Sequence, residues 1–154
     1  MTAMFEESAE SFTSRWRSEA ADAHIHPKVE NDPLLELETA GIIIHALERT
    51  GPYLSKAGPA RVIIHALVES VQRADTTETR VEVTGISRAK FQGRIIRSDQ
   101  QFLVVDAGFK LVVGVLQEHS GHLQGGDFVT FEALPPLHAF VIVDSTRREH
   151  DHEV

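Results

Sequence analysis

The 154-residue sequence contains no cysteine, which excludes disulfide bonds, thiolate metal ligands and a cysteine nucleophile. It also lacks any apolar run near the roughly 20 residues that a transmembrane helix needs. The first ten residues are acidic and have neither the basic nor the apolar region of a secretory signal. We therefore expect a soluble, cytoplasmic protein that makes no contact with a membrane.

An excess of basic residues is missing as well. Fifteen Lys and Arg residues stand against 23 Asp and Glu residues, which gives a net charge of −8 with neutral histidines. Such a charge repels nucleic acid and anionic lipid at long range, so any basic binding site must be local. The hydrophobic fraction of 42% is typical of a globular chain of one-domain size.

The first 31 residues predict an amphipathic helix followed by a linker. Apolar side chains recur every three or four residues between about Thr2 and Ala23, which places them on one narrow helical face. This stripe packs either on its own domain or on a partner chain. Its aromatic members, Phe5, Phe12 and Trp16, are our candidate partner-binding residues.

Residues 32–78 predict a helical hairpin. Asp32 and Pro33 are typical of a helix start, and Gly51 followed by proline is typical of a helix end. A further helix is expected from about 58 to 74. The two helices share a short repeat, Ile-Ile-His-Ala-Leu, at 43–47 and 63–67.

Residues 79–144 predict a small antiparallel β-barrel of OB or SH3-like type, because short alternating segments follow one another with turn residues between them. Strands are expected near 80–86, 89–97, 101–106, 110–116, 128–133 and 139–143. The complete prediction is an α+β fold in which N-terminal helices precede the barrel. Residues 145–154 are expected to form a flexible tail.

Several predicted strands are apolar at consecutive positions, which indicates burial on both faces. The clearest are Phe102–Val105, Leu111–Val113 and Phe140–Val143. One face would line the barrel, and the helical hairpin or a second copy of the chain would cover the other. The leading functional prediction is therefore a non-enzymatic binding or assembly subunit, which forms a homo-oligomer or docks a protein partner through its helices and barrel surface.

One predicted strand is basic on a single face. Arg88, Lys90 and Arg94 share a parity, and the other parity is small or apolar. Such a face can follow a phosphate backbone while an aromatic ring, here Phe102, stacks on a base. The alternative function is therefore nucleic-acid binding by an OB-like barrel.

Residues suited to catalysis or to cofactor binding are few. His119, His122 and His138 are candidate zinc ligands, but no acidic cluster or helical His-x-x-x-His pattern accompanies them. No glycine-rich phosphate loop and no nucleophile elbow is present. We therefore predict no metal, no cofactor and no enzymatic activity.

Overall fold

The protein is mostly β. The computed structural model describes residues 8–27, 32–50, 56–117 and 123–142. Within them one short helix, α1 (Ala9–Trp16), runs into a 3-10 turn at Arg17–Glu19. The strands are β1 (Ala21–Ile25), β2 (Leu34–Thr39), β3 (Ile42–Glu48), β4 (Gly58–Val68), β5 (Gln72–Arg73), β6 (Arg80–Gly85), β7 (Arg88–Asp99), β8 (Phe102–Asp106), β9 (Lys110–Val115), β10 (Phe128–Glu132) and β11 (Leu134–Val141).

Five strands form a closed barrel. Their order is β1-β2-β3-β11-β4, and β4 returns to pair with β1. The β3–β11 pairing is parallel, whereas β11 runs antiparallel to β4. The last described strand therefore lies between two strands from the first half of the chain.

The remaining strands continue outward from the barrel. The edge of β4 that pairs with β1 over Gly58–Val62 pairs in parallel with β9 over His65–Val68, and the order then runs β9-β8-β7-β10-β5. Strand β7 is long and changes partners along its length, because β6 pairs with its first half and β8 with its second. A register shift between Ile95 and Arg97 marks the β8 pairing. This arrangement leaves β6 beside β7 alone among the described strands.

The prediction of burial on both strand faces is confirmed at β8. All four side chains from Phe102 to Val105 are fully buried. Leu103 and Val105 belong to the main core, while Phe102 and Val104 belong to a second cluster that includes residues of α1. The cover over this second face is therefore α1.

The predicted helical hairpin at 32–78 is wrong, because the described residues of this segment form β2, β3, β4 and β5. The apolar runs Ile42–Ile44 and Val62–Ile64 consist of β-branched residues, which favour strands and can be buried on both faces of a sheet. The two copies of Ile-Ile-His-Ala-Leu lie on β3 and β4, on either side of β11.

The predicted boundaries of the helices are also wrong. Asp32 does make a capping-type hydrogen bond, since its Oδ1 accepts from the Leu34 amide over 2.9 Å. This bond closes a turn that leads into a strand. The first helix, predicted from 2 to 23, spans only Ala9–Trp16 within the described residues. Parts of the predicted linker and the whole predicted tail at 145–154 lie outside the described residues.

The strands predicted after residue 79 are confirmed as β6 to β11, with boundaries that differ by a few residues. The barrel prediction needs a correction, however. A small closed barrel is present, but it is built from β1 to β4 together with β11, and residues 79–144 do not close it alone. The sequence pattern predicts where these strands lie but not which strands pair with each other.

Candidate interaction surface

The β6–β7 hairpin is fixed to the barrel at its tip. The turn contains Ile86 and Ser87, and Ser87 has a positive φ of 57°. The Ser87 hydroxyl donates to the carbonyl oxygen of His45 on β3 and accepts from the amide of Leu137 on β11, both over 2.8 Å. Ser87 is therefore buried, although it occupies a hairpin turn.

The other end of β6 is held by one side chain of β7. The Gln92 amide nitrogen donates to the Thr76 hydroxyl and to the Glu78 carbonyl oxygen, each over 2.9 Å. These contacts fix the segment that enters β6. Both ends of the strand are consequently anchored by hydrogen bonds.

Strand β6 itself is an exposed edge. Every residue of it except Val81 is exposed, and Val81 packs partly against the main core. Two apolar side chains are open to solvent here, Val83 at 46% and Ile86 at 71% exposure. Of the described strands only β7 pairs with β6, so the second edge of β6 offers its backbone groups to solvent.

The basic face predicted on β7 exists. Arg88, Lys90 and Arg94 are exposed, and the residues of the other parity between them are buried, as the alternation in sequence indicates. None of the three forms an ion pair with a described residue. Acidic neighbours lie opposite them in register, however: Glu82 and Glu132 face Lys90, and Asp106 faces Arg94. This surface therefore carries charges of both signs.

An open groove of about 600 Å³ borders the same face. Arg88 and Lys90 contribute cations to its lining, and Glu69 and Glu132 contribute carboxylates. The groove repeats the mixed charge of the strand beside it. A groove of mixed charge does not favour the binding of a polyanion such as nucleic acid.

The aromatic candidates lie inside the protein. Phe102 is fully buried, and Phe12 and Trp16 are 5% and 1% exposed. The rings of Phe12 and Phe140 stack with centroids 4.4 Å apart, and the Arg15 guanidinium lies 4.9 Å from the Trp16 ring centroid. The described part of the predicted partner-binding stripe thus packs on its own sheet, and Phe102 is covered rather than open to a base. Phe5 lies outside the described residues.

Two histidines face each other across β4 and β11. His65 and His138 are register partners with ring centroids 5.7 Å apart. His65 Nδ1 donates to the Val112 carbonyl oxygen over 2.8 Å, and Arg49 donates to His138 Nδ1 over 3.0 Å. Burial lowers the pKa of His65 to about 4. Burial and the Arg49 guanidinium lower the pKa of His138 to about 4.

His65 lies in the repeat at 63–67 that was predicted to be helical, and the strand that replaces the helix buries it. Of the three candidate zinc ligands, only His138 is among the described residues; His119 and His122 fall outside them. Within residues 8–27, 32–50, 56–117 and 123–142, no group of three histidine or acidic side chains is arranged to hold a metal ion.

Sequence reasoning missed a histidine–carboxylate cluster on the outer face of β2 and β3. His26 Nδ1 lies 2.7 Å from Glu36 Oε2, and His26 Nε2 lies 3.2 Å from Glu38 Oε1. His45 Nε2 is 3.5 Å from the other oxygen of Glu36. Hydrogen bonds to Glu38 and Glu36 raise the pKa of His26. Glu36 and Glu38 are two residues apart, so they lie on the same face of a strand. This spacing would have indicated the cluster if the segment had been predicted as a strand.

Comparison with known proteins adds no assignment to this geometry. Among the described residues, no helix has both the length and the apolar character required to cross a bilayer. The chain matches no family model and no curated protein.

Proposed function

We propose that this protein is a non-enzymatic binding or assembly subunit that contacts another protein chain through the outer edge of β6. The observation that carries the proposal is the state of this strand. All its residues except the half-buried Val81 are exposed, it has one strand neighbour among the described residues, and hydrogen bonds hold its two ends in place.

The physical basis is strand addition. An open strand edge presents N–H and C=O groups at the spacing of a β-ladder, and an incoming strand satisfies them. A strand that is already ordered loses little conformational entropy when it binds. Val83 and Ile86 supply apolar surface beside this edge, which an incoming chain would remove from water.

The non-enzymatic part of the proposal is supported by the placement of the perturbed histidines. His65 is 7% exposed and uses Nδ1 on a backbone carbonyl. His138 accepts from Arg49 at the same nitrogen. Neither lines the open groove beside β7.

Site-specific photo-crosslinking in cells tests the proposal. A photoreactive amino acid replaces Ile86 in one variant and Ser14, an exposed residue of α1, in a control variant. We expect a covalent adduct with a second protein chain from position 86 and none from position 14. No adduct at either position, or equal adducts at both, would contradict the proposed surface.

Nucleic-acid binding remains the second candidate, because Arg88, Lys90 and Arg94 are exposed and form no ion pair with a described residue. Their acidic register neighbours weaken this alternative. Light scattering with mixed-sequence single-stranded DNA and RNA tests it. The alternative requires a mass that rises with nucleic acid, falls back as salt increases, and responds to Lys90→Ala and Arg94→Ala. A mass that does not change when nucleic acid is added excludes this alternative.

A further inference from the structure

We infer that the chain received by the β6 edge is a second copy of this protein, paired antiparallel with its own β6 around a two-fold axis at Val81. The inference rests on the proposed function and names the partner of that surface. It follows from the side chains that such a pairing brings together.

Side-chain parity restricts the possible registers. In an antiparallel pair, residues directly opposite each other lie on the same face of the sheet. When the two-fold axis lies level with a residue, that residue faces its own counterpart in the second copy. Val81 and Val83 of both copies then lie on the same face of the sheet. An axis between two residues would place a valine opposite a charged or polar side chain, and the apolar and charged faces would be mixed.

Charge then selects among the registers that remain. An axis at Arg80 places two arginines opposite each other, and an axis at Glu82 places two glutamates opposite each other. An axis at Val83 brings no charged pair together, since Glu82 then faces Thr84. An axis at Val81 places Arg80 of each chain opposite Glu82 of the other, so opposite charges meet twice. This is the one register of the four with attraction at both charged positions.

Both charged groups are available for this exchange. Glu82 forms no ion pair with a described residue, although Lys90 lies opposite it on β7. Arg80 contacts Glu78 over 3.0 Å, but the two side chains are 63% and 67% exposed. Such exposed pairs contribute little to stability, so Arg80 can change partners at small cost.

The interface would also cover apolar surface that the single chain leaves exposed. In this register Val81 faces its own counterpart, and Val83 faces Thr79 of the second copy. Val83, at 46% exposure, has no other described strand beside it on that edge. The charged and the apolar side chains of β6 therefore both favour a second copy of the chain as the partner.

Mixing two charge variants gives the sharpest test. Arg80→Glu and Glu82→Arg each place like charges opposite each other in a homodimer, and sedimentation velocity should show the dissociation constant rise about tenfold or more for each. A mixture of the two variants restores both attractive pairs. We expect it to form a one-to-one heterodimer with wild-type affinity, and the double variant R80E/E82R to dimerise alone.

Matched controls separate this register from a general charge effect. Arg88→Glu and Glu132→Arg make the same charge changes at exposed positions on β7 and β10, and should leave the dissociation constant within about twofold of wild type. Thermal melts of each single variant show whether it folds. Formation of the heterodimer would itself show that a weakly folded variant can reach the native state.

The possible failures are distinguishable. A wild-type dimer whose charge variants gain nothing on mixing would overturn the register. A wild-type chain that stays at its 17.1 kDa monomer mass up to about 0.5 mM, well above ordinary dissociation constants, would overturn the second copy as partner. In that case, an adduct from position 86 to a different protein leaves the proposed function standing, and the absence of any adduct removes it.

Discussion

The Ser87 hydroxyl oxygen accepts a hydrogen bond from the Leu137 amide over 2.8 Å and so ties a hairpin turn to a strand of the closed barrel. Replacing Ser87 with alanine leaves this buried amide without its acceptor. We expect Ser87→Ala to lower the free energy of unfolding by about 1–3 kcal/mol. Urea denaturation measures this effect.

The same variant should loosen the proposed interface. Amide hydrogen exchange in β6 is expected to become faster in Ser87→Ala, because one end of the strand loses its anchor. Ser98→Ala, at an exposed position of β7, is the control and should change neither quantity. Unchanged exchange in β6 would show that the Ser87 contact does not order the hairpin.

Protonation of the buried His65 should destabilise the protein in acid. Burial lowers the pKa of His65 from 6.5 to about 4, so the unfolded chain binds the additional proton first. The contribution of neutral His65 is complete above pH 6.5 and is lost as the pH falls towards 4, with an upper limit of about 3 kcal/mol.

The variant His65→Gln keeps a donor for the Val112 carbonyl oxygen but cannot titrate. We expect its unfolding free energy to vary less between pH 6.5 and 4 than that of wild type. Some dependence should persist, since His138 has a similarly lowered pKa. Identical pH profiles for the two proteins would contradict the assignment of His65 as a buried neutral group.

His26 should titrate in the opposite sense. Its hydrogen bonds to Glu38 and Glu36 raise its pKa, so the stabilisation by the charged ring is present below pH 6.5 and is lost as the pH rises through the raised value. NMR titration of the histidine ring protons measures this directly. Glu38→Gln should lower the pKa of His26, whereas Glu78→Gln, on the segment that enters β6, should leave it unchanged.

Gly93 should tolerate no side chain. A Cβ at this position would lie 2.3 Å from the backbone oxygen of Asp106, where β7 passes close to the chain that follows β8. We expect Gly93→Ala to lower the free energy of unfolding by about 2 kcal/mol or more. Gly85→Ala is the matched control, because its Cβ would meet only the flexible side chain of Arg88 at 3.3 Å. Equal denaturation midpoints for the two variants would contradict this packing.

Sequence reasoning located the strands of the second half because their signals are local. Turn residues separate them, and β7 shows a clean alternation from Arg88 to Ile95. The burial of β8 on both faces also follows from Phe102–Val105, which has no polar side to turn towards water. These features depend on neighbouring residues and need no knowledge of the remaining chain.

The first half was predicted wrongly because its local signals fit two structures. Asp32 accepts a hydrogen bond from the amide two residues ahead of it, which is equally a helix cap or a turn before a strand. Ile42–Ile44 and Val62–Ile64 are apolar without a clear period. Pairing with β2 places Ile42–Ile44 in a strand, and pairing with β11 does the same for Val62–Ile64. The pairing of β3 with β11 joins residues 91 positions apart, a relation that periodicity does not record.

The candidate site was predictable only in part. The exposure of Arg88, Lys90 and Arg94 follows from strand parity. The exposed edge of β6 does not, because it depends on which strands fail to pair with it. Phe12 and Trp16 formed a recognisable stripe, yet the sequence left open what the stripe packs on, and the structure places their side chains against Ile63 and Phe102.

The position of β11 between β3 and β4 has a consequence for how the protein is made. During synthesis, β3 and β4 emerge early and lack their common neighbour until residues 134–141 have left the ribosome. A nascent chain at that stage exposes apolar strand edges that are open to misassociation. Closure of the barrel then depends on contacts between distant parts of the chain, which are slow to form. Protection by a chaperone would therefore matter most in the interval before β11 is released.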